Sequence, residues 1–148
     1  VATSDAAAPL LESNPNVGAV LSFPETALGT IRFIGRVRRE RYGAVVDAFG
    51  NPRTALVAAL SRAPIRIGYD VRLRRFAYTH VVRRLGAGHY NARVQLELLR
   101  PLGIVANDAT PELFLRRDER AAAAQHRHDA GARDLLLLPP GLTANGRG

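Results

Sequence analysis

The residues best able to do chemistry gather between Asp47 and Thr54, where an acid, a glycine, an amide, a proline, a guanidinium and a hydroxyl lie close together in the chain. The stretch 42–48 is nearly continuous in apolar residues and reads as a short strand of a buried parallel sheet. Residues 53–62 carry the Ala and Leu content of a helix. Asp47 then stands at a strand's carboxyl end, the edge of an open α/β sheet at which ligands bind. Gly50 permits a tight turn or close approach of a ligand to the backbone. Pro52 suits the first turn of a helix, and the helix N-terminus favours an anion that Arg53 can share. The chemistry on offer is binding: Asp47 and Asn51 can hydrogen-bond hydroxyl groups, and Arg53 can grip a phosphate or carboxylate with its planar fork. The same spacing fits an architectural role, in which Asp47 or Asn51 caps the helix and Gly50 turns the chain. The residues alone leave both open.

A second gathering comprises Arg72, Arg74, Arg75, Arg83 and Arg84, with Tyr69, Phe76 and Tyr78 interleaved. Such a mixture can stack on and clamp single-stranded nucleic acid, or hold a sugar by its apolar face and its phosphate by charge. A place in the core is the simpler reading of the aromatics. His80 and His89 can titrate near neutral pH and donate to an anionic group, but no serine or paired carboxylate beside them declares a triad or an acid–base dyad. His126 and His128 stand two apart in a helical stretch and point different ways, and the chain has no cysteine, so no metal site is expected. Gly86-x-Gly88 lacks the third glycine of a dinucleotide-binding loop, and no resident cofactor is expected either.

Positioning these groups requires short apolar runs alternating with helical stretches, the pattern of a parallel α/β sheet built from βαβ units. The expected order is a strand end at 1–3, a helix at 6–13 stopped by Asn14-Pro15, and a strand at 17–23. An amphipathic basic helix at 30–41, with Ile31, Ile34 and Val37 at helical spacing, leads to the strand ending at Asp47. After the helix at 53–62 come a strand at 65–69, extended or irregular chain at 72–82, and helical chain at 89–100 ended by Pro101 and Gly103. A short strand at 112–115, an Ala-rich helix at 118–129 with Asp118 or Thr110 near its cap, and a buried strand at 135–138 before Pro139-Pro140-Gly141 complete the pattern. Residues 1–138 read as one domain of ordinary size, and 139–148 as the start of a linker or second domain.

No apolar run reaches the roughly 18–20 residues of a membrane span. All 21 basic residues are Arg, and the net charge is +8. Between Arg32 and Arg100, fifteen Arg face four acids, 15 − 4 = +11, which asks for a polyanionic partner without choosing among nucleic acid, lipid surface and phosphorylated glycolipid. The absence of Met and the abrupt start at Val1 suggest a missing upstream segment.

The run Val45-Val46-Asp47-Ala48-Phe49-Gly50-Asn51-Pro52-Arg53-Thr54-Ala55 resembles the D-x-x-G-N-x-R-[ST]-A segment of glycosyltransferase family 9, which includes the lipopolysaccharide heptosyltransferases. Its neighbours follow in order: Asn14-Pro15-Asn16-Val17, Arg38-Arg39-Glu40-Arg41-Tyr42, Arg66-Ile67-Gly68-Tyr69, Tyr78-Thr79-His80 and His89-Tyr90-Asn91, so that the similarity covers residues 7–141. Pro140-Gly141 resembles the family's turn into its second domain, although Leu142 to Gly148 lack the basic and aromatic residues that follow it there.

The resemblance implies a Rossmann-like, acceptor-side N-terminal half of a GT-B enzyme that transfers heptose from ADP-heptose, with inversion, to the lipopolysaccharide inner core. It implies acceptor contacts from Asp47, Asn51, Arg53, Arg72, Arg74, Arg75 and His80, with Gly50 and Pro52 shaping the loop and Arg66 structural. The catalytic base is expected upstream of Val1, and the ADP-sugar site in a C-terminal nucleotide-binding domain beyond Gly148, so the piece alone would not catalyse. The implied partner is an anionic glycolipid rather than nucleic acid, in the cytoplasm with peripheral contact at the inner membrane. A basic α/β nucleic-acid-binding module and a truncated gene product without activity stay as alternatives.

Overall fold

The structure, a computed structural model, describes residues 1–86 and 91–129. His89, the expected strand at 135–138 and the whole of 139–148 lie outside the described residues. The chain divides into a compact unit Val1–Leu113 and a second beginning at Phe114.

Two parallel sheets carry the first unit. β1 (Ala2–Thr3) pairs with β2 (Leu21–Ser22), Ala2 lying opposite Leu21. β3 (Ala44–Asp47), β4 (Ile65–Tyr69) and β5 (His80–Val82) form the other sheet in the order β3-β4-β5. Asp47 is opposite Gly68, and Gly68 opposite Val81. Parallel neighbours need crossovers. α1 (Pro9–Glu12) joins β1 to β2, α2 (Ala27–Glu40) joins β2 to β3, and α3 (Pro52–Leu60) joins β3 to β4. A 3-10 turn at Arg75–Ala77 precedes β5. α4 (Asn91–Leu96) then runs into 3-10 chain at Glu97–Leu102, which ends at Gly103. This is the mixed α/β, parallel-sheet architecture that the alternating sequence pattern predicts.

α2 shows how the sequence sets one of these crossovers. Thr26 caps its start by accepting from the Gly29 N–H at 3.1 Å. Thr30, Phe33, Ile34 and Val37 are buried at the i, i+3, i+4, i+7 spacing of one helix face. Ile31, grouped with Ile34 and Val37 from the sequence, is 66% exposed, because one residue turns the helix by about 100° and the buried register starts at Thr30 instead. Arg38 and Arg39 in the last turn complement the helix dipole, and Arg38 Nε donates to the Leu60 carbonyl at 2.6 Å, fastening the end of α2 to the end of α3.

The core lies on both faces of the sheets. One cluster joins Leu21, Phe33, Ile34, Val37 and Val57, and a second joins Ala55 and Ala58 of α3 to Ala77 and Tyr78 with Val45 against them. A third, built from Ile67, Tyr69, Val94 and Leu98, fixes α4 and the following 3-10 chain. Alternation along β4 assigns the faces: Ile67 and Tyr69 point to the α4 side, while Gly68 meets Tyr78 on the α3 side.

Several expectations need correcting. The strand at 17–23 contracts to Leu21–Ser22. Residues 112–115 form no strand, since among the described residues they have no ladder partner to satisfy their backbone. The stretch 72–82 is extended or irregular as expected, its extended part being β5 and its irregular part holding the 3-10 turn. In the second unit, α5 (Arg117–Asp129) is capped by the Arg116 N–H donating to Glu119 Oε2 at 2.8 Å rather than by Asp118 or Thr110. His126 and His128 sit exposed on it.

Gly68 is the position where this packing tolerates least. A Cβ there would stand 2.3 to 2.6 Å from the Tyr78 ring. Gly68→Ala is expected to cost at least about 1–3 kcal/mol by overpacking. Gly35→Ala, which meets open space on α2, is expected to add about 0.5–1 kcal/mol through helix propensity. Urea unfolding of the two variants beside the parent measures both, and a neutral Gly68→Ala would contradict the packing described.

Candidate functional site

The loop after β3 is shaped by one buried carboxylate. Asp47 ends the strand with only 6% of its surface exposed. Its Oδ1 accepts from the Phe49 N–H at 3.1 Å and the Gly50 N–H at 2.9 Å, folding the chain back over its own side chain. Its Oδ2 accepts from the Tyr78 hydroxyl at 2.7 Å. Gly50 takes φ +64°, a left-handed conformation that a side chain would strain, and its carbonyl accepts from the Arg74 guanidinium.

α3 starts directly behind this turn. The Asn51 side chain accepts from the Thr54 N–H at 2.9 Å and from its hydroxyl at 3.2 Å, capping the helix, and Pro52 occupies the first turn. Arg53 donates to the Pro24 carbonyl at 3.1 Å, which ties the loop after β2 to the loop after β3.

Burial raises the Tyr78 phenol well above its ordinary value of 10.0, and the hydrogen bond to Asp47 and the Asp47 charge add to the rise, while Arg74 opposes it. Tyr69 is raised by burial as well, against the pull of Arg84, whose guanidinium lies 5.4 Å from its ring centroid. Tyr69 donates to the Val94 carbonyl at 3.1 Å. Both tyrosines are core residues, as the sequence suggests; Phe76 between them is not, at 80% exposure.

Two cavities open beside the loop. The outer one, about 220 Å³, is lined by Thr3 at the end of β1 with Ser4 and Asp5 after it, Phe23 to Glu25 after β2, and Phe49, Asn51, Arg53 and Thr54 after β3. Three strands thus deliver their carboxyl ends to one hollow. The inner cavity, about 410 Å³, runs between β1 and β3, with Phe23, Phe33 and Val57 along it and Asp47 at its wall.

The site residues named from the sequence divide accordingly. Asn51 and Arg53 line the outer cavity, with Gly50 and Pro52 shaping its rim from the backbone. Asp47 is buried beneath it. Arg72, Arg74 and Arg75 follow β4 at the same end of the sheet but do not line the hollow; Arg74 reaches it through Gly50, and exposed Arg75 stands 4.0 Å from Asp70. His80 opens β5, exposed, its Nδ1 3.0 Å from Thr79 Oγ1 and two strands away from Asp47. Arg66 is structural, donating to the Ala77 carbonyl at 3.0 Å and the Ala63 carbonyl at 2.7 Å.

Sequence reasoning missed Phe49, which is 77% exposed at the mouth of the hollow, along with Ser4, Asp5 and Glu25. Phe49 stood inside the quoted run, and its place next to a strand-end aspartate was the signal available. The other three come from loops distant in sequence. Among the described residues, no group of three or more His, Asp or Glu is arranged to hold a metal ion, and no helix is long and apolar enough to cross a membrane.

Tyr78→Phe removes the donor to a buried carboxylate oxygen and is expected to cost about 1–3 kcal/mol. Because the folded-state pKa of Tyr78 lies above the unfolded value, its contribution is complete below about pH 10 and is lost as pH rises toward the folded value. Denaturation curves at rising alkaline pH should therefore fall more steeply for the parent than for Tyr78→Phe, and parallel slopes would contradict the assignment.

No family profile and no curated protein sequence matches the chain. Among solved structures, a glycosyl transferase family 9 protein from Veillonella parvula superimposes with a TM-score of 0.70 at 21% sequence identity. The match covers 90% of this chain and 40% of that one, so the chain spans well under half the length of its structural neighbour. In fold, these residues are thus similar to part of a family 9 glycosyl transferase.

Proposed function

We propose that the chain is the acceptor-side part of a glycosyltransferase that moves heptose from ADP-heptose, with inversion, onto the anionic inner core of lipopolysaccharide. The observation that carries this reading is the hollow at the carboxyl ends of β1, β2 and β3, within a fold shared with a family 9 glycosyl transferase. Its lining suits a phosphorylated sugar. Phe49 offers a ring face to the C–H side of a pyranose. Asp5, Glu25, Asn51 and Thr54 can meet hydroxyl groups, and Arg53 can meet a phosphate at the N-terminus of α3.

The distribution of charge supports the same class of ligand. Arg53, Arg72, Arg74, Arg75, Arg83 and Arg84 follow the carboxyl ends of β3, β4 and β5, so the end of the sheet where the hollow opens carries cations, beside a second group of Arg36, Arg38, Arg39, Arg41 and Arg62 at the opposite end. A ligand anchored in the hollow can extend its further anionic groups toward them.

In the intact enzyme, a carboxylate from polypeptide outside these residues removes the proton of the acceptor hydroxyl. The oxygen then displaces ADP at the anomeric carbon, with the departing charge stabilised by the nucleotide-binding domain. Asp47 serves this chemistry by holding the loop. The chain by itself binds acceptor and transfers nothing. A cytoplasmic place against the inner membrane follows from the nature of the acceptor.

Calorimetric titration with lipid-free, phosphorylated core oligosaccharide tests the binding half of the proposal. Arg53→Ala is expected to weaken binding by about tenfold or more, the loss of one charge-assisted contact, while far-UV circular dichroism stays unchanged. Asn51→Asp, which keeps the cap, isolates the amide's part in recognition. Transfer from ADP-heptose by the intact protein tests the rest. No binding of the oligosaccharide and no transfer would end the proposal, and salt-sensitive binding of single-stranded nucleic acid instead would replace it with the basic-module reading.

A further inference from the structure

The most exposed large apolar side chains among the described residues are Leu73, Phe76 and Phe49. Leu73 and Phe76 stand three residues apart in the connection from β4 to β5, at 81% and 80% exposure, and Phe49 stands in the loop after β3. An exposed apolar residue standing alone is ordinary on a folded surface; neighbouring ones held out in water mark a contact surface.

The backbone holds Leu73 and Phe76 in place. The Val71 carbonyl accepts from the N–H groups of Arg74 at 2.7 Å and Arg75 at 3.1 Å, and the Arg74 carbonyl accepts from Ala77 at 2.9 Å. Turns this tight bring residues three apart onto one side, so the segment has three sides. Val71, Arg74 and Ala77 form the inner one: Val71 packs on the cluster around Ile67, Arg74 donates to the Gly50 carbonyl, and Ala77 is buried with Tyr78 against α3. Arg72 and Arg75 form a second side, and Leu73 and Phe76 the third. With the inner side anchored at three points, the apolar pair has no way to retract from water.

Charge says what covers them. Between residues 70 and 84, five Arg stand against Asp70, 5 − 1 = +4. Arg72, Arg75 and Arg83 are exposed. Asp70 lies 4.0 Å from Arg75, a solvated pair too weak to neutralise the patch. An apolar pair flanked by guanidinium groups matches a layer that is apolar beneath and negative at its surface, which is an anionic bilayer: Phe and Leu enter the boundary between headgroups and acyl chains while Arg stays with the phosphates. A second copy of the chain would set the same cations against each other. Single-stranded nucleic acid would use Phe76 and the arginines but gives Leu73 nothing, since an aliphatic side chain is no platform for stacking.

We propose that the turn at 71–77 is a membrane-docking element, in which Leu73 and Phe76 enter the interface of an anionic bilayer and Arg72, Arg75 and Arg83 hold lipid phosphates. Placing a bilayer beside the hollow rests on the proposed reading of the acceptor as a glycolipid. Arg74 joins the two sites, because its bond to Gly50 locks the turn to the residue next to Phe49 at the mouth of the hollow. Docking through the turn therefore sets the hollow against the surface from which a phosphorylated headgroup sugar projects.

The chain has no Trp, so Phe76→Trp supplies a single fluorescent reporter. With vesicles of mixed phosphatidylglycerol and phosphatidylcholine, its emission is expected to shift to the blue and to be quenched by lipids brominated on their acyl chains, with no change on pure phosphatidylcholine. Val105→Trp, 66% exposed beside Arg93 and Arg100 on the α4 side, is expected to stay unshifted. In vesicle co-sedimentation, Leu73→Ser combined with Phe76→Ser is expected to lower partitioning by at least about tenfold at unchanged circular dichroism, because both positions are exposed. Arg72→Ala combined with Arg75→Ala is expected to weaken it by about tenfold and to flatten its fall with salt. The serine variant keeps the parent's affinity for lipid-free core oligosaccharide. Vesicle binding by a parent chain that ignores the oligosaccharide would uphold the docking element and remove the acceptor reading; oligosaccharide binding without vesicle binding would overturn the docking element alone. Equal partitioning of parent and serine variant, or a blue shift at Val105→Trp in place of Phe76→Trp, would overturn it as well. So would quenching of Phe76→Trp by a single-stranded oligonucleotide in a chain that leaves vesicles unbound.

Discussion

Everything at the candidate site hangs on the Asp47 carboxylate. Moving such a group out of water costs several kcal/mol unless its lone pairs are met. Here two backbone N–H groups and a phenolic hydroxyl meet them. The same three bonds bend the chain into the turn that starts α3 and pin Tyr78 over Gly68, so loop geometry and core packing share one electrostatic condition. Arg74 extends the condition to the next connection by donating to Gly50, and Arg53 extends it to the loop after β2. Three segments far apart in sequence, the loops after β2 and β3 and the connection from β4 to β5, thereby converge on one end of the sheet.

That convergence decides what the aspartate does. A carboxylate already committed to three internal donors is suited to hold a loop rather than to exchange hydrogen bonds with a substrate, while its neighbours Asn51, Arg53, Thr54 and Phe49 face the hollow. A rigid buried group beneath and adaptable polar groups above is the arrangement expected of a preformed ligand-binding surface. The arginines beyond the hollow are mostly exposed, and their attraction for a polyanion would be screened by salt.

The described strands form two separate parallel sheets, β1-β2 and β3-β4-β5, and the outer hollow lies where the carboxyl ends of β1, β2 and β3 meet, the edge that open α/β sheets use for ligands.

By itself, the sequence determined the periodic features. Apolar runs and their breakers announced β3, α3 and β4 nearly at their observed limits, and Asn51-Pro52 announced the start of a helix, because caps and proline act through local backbone geometry. The ordered likeness to glycosyltransferase family 9 pointed to the fold that the structural neighbour shares. Tertiary structure decided what depends on distant partners. It put Thr30 rather than Ile31 on the buried face of α2, since neighbouring helix positions differ only in what packs against them. It fixed where within the extended or irregular chain at 72–82 a strand forms, since β5 exists through its ladder to β4. It also turned Asp47 inward, because Tyr78, thirty-one residues away, supplies the donor that makes burying a carboxylate affordable, and no local spacing carries that information.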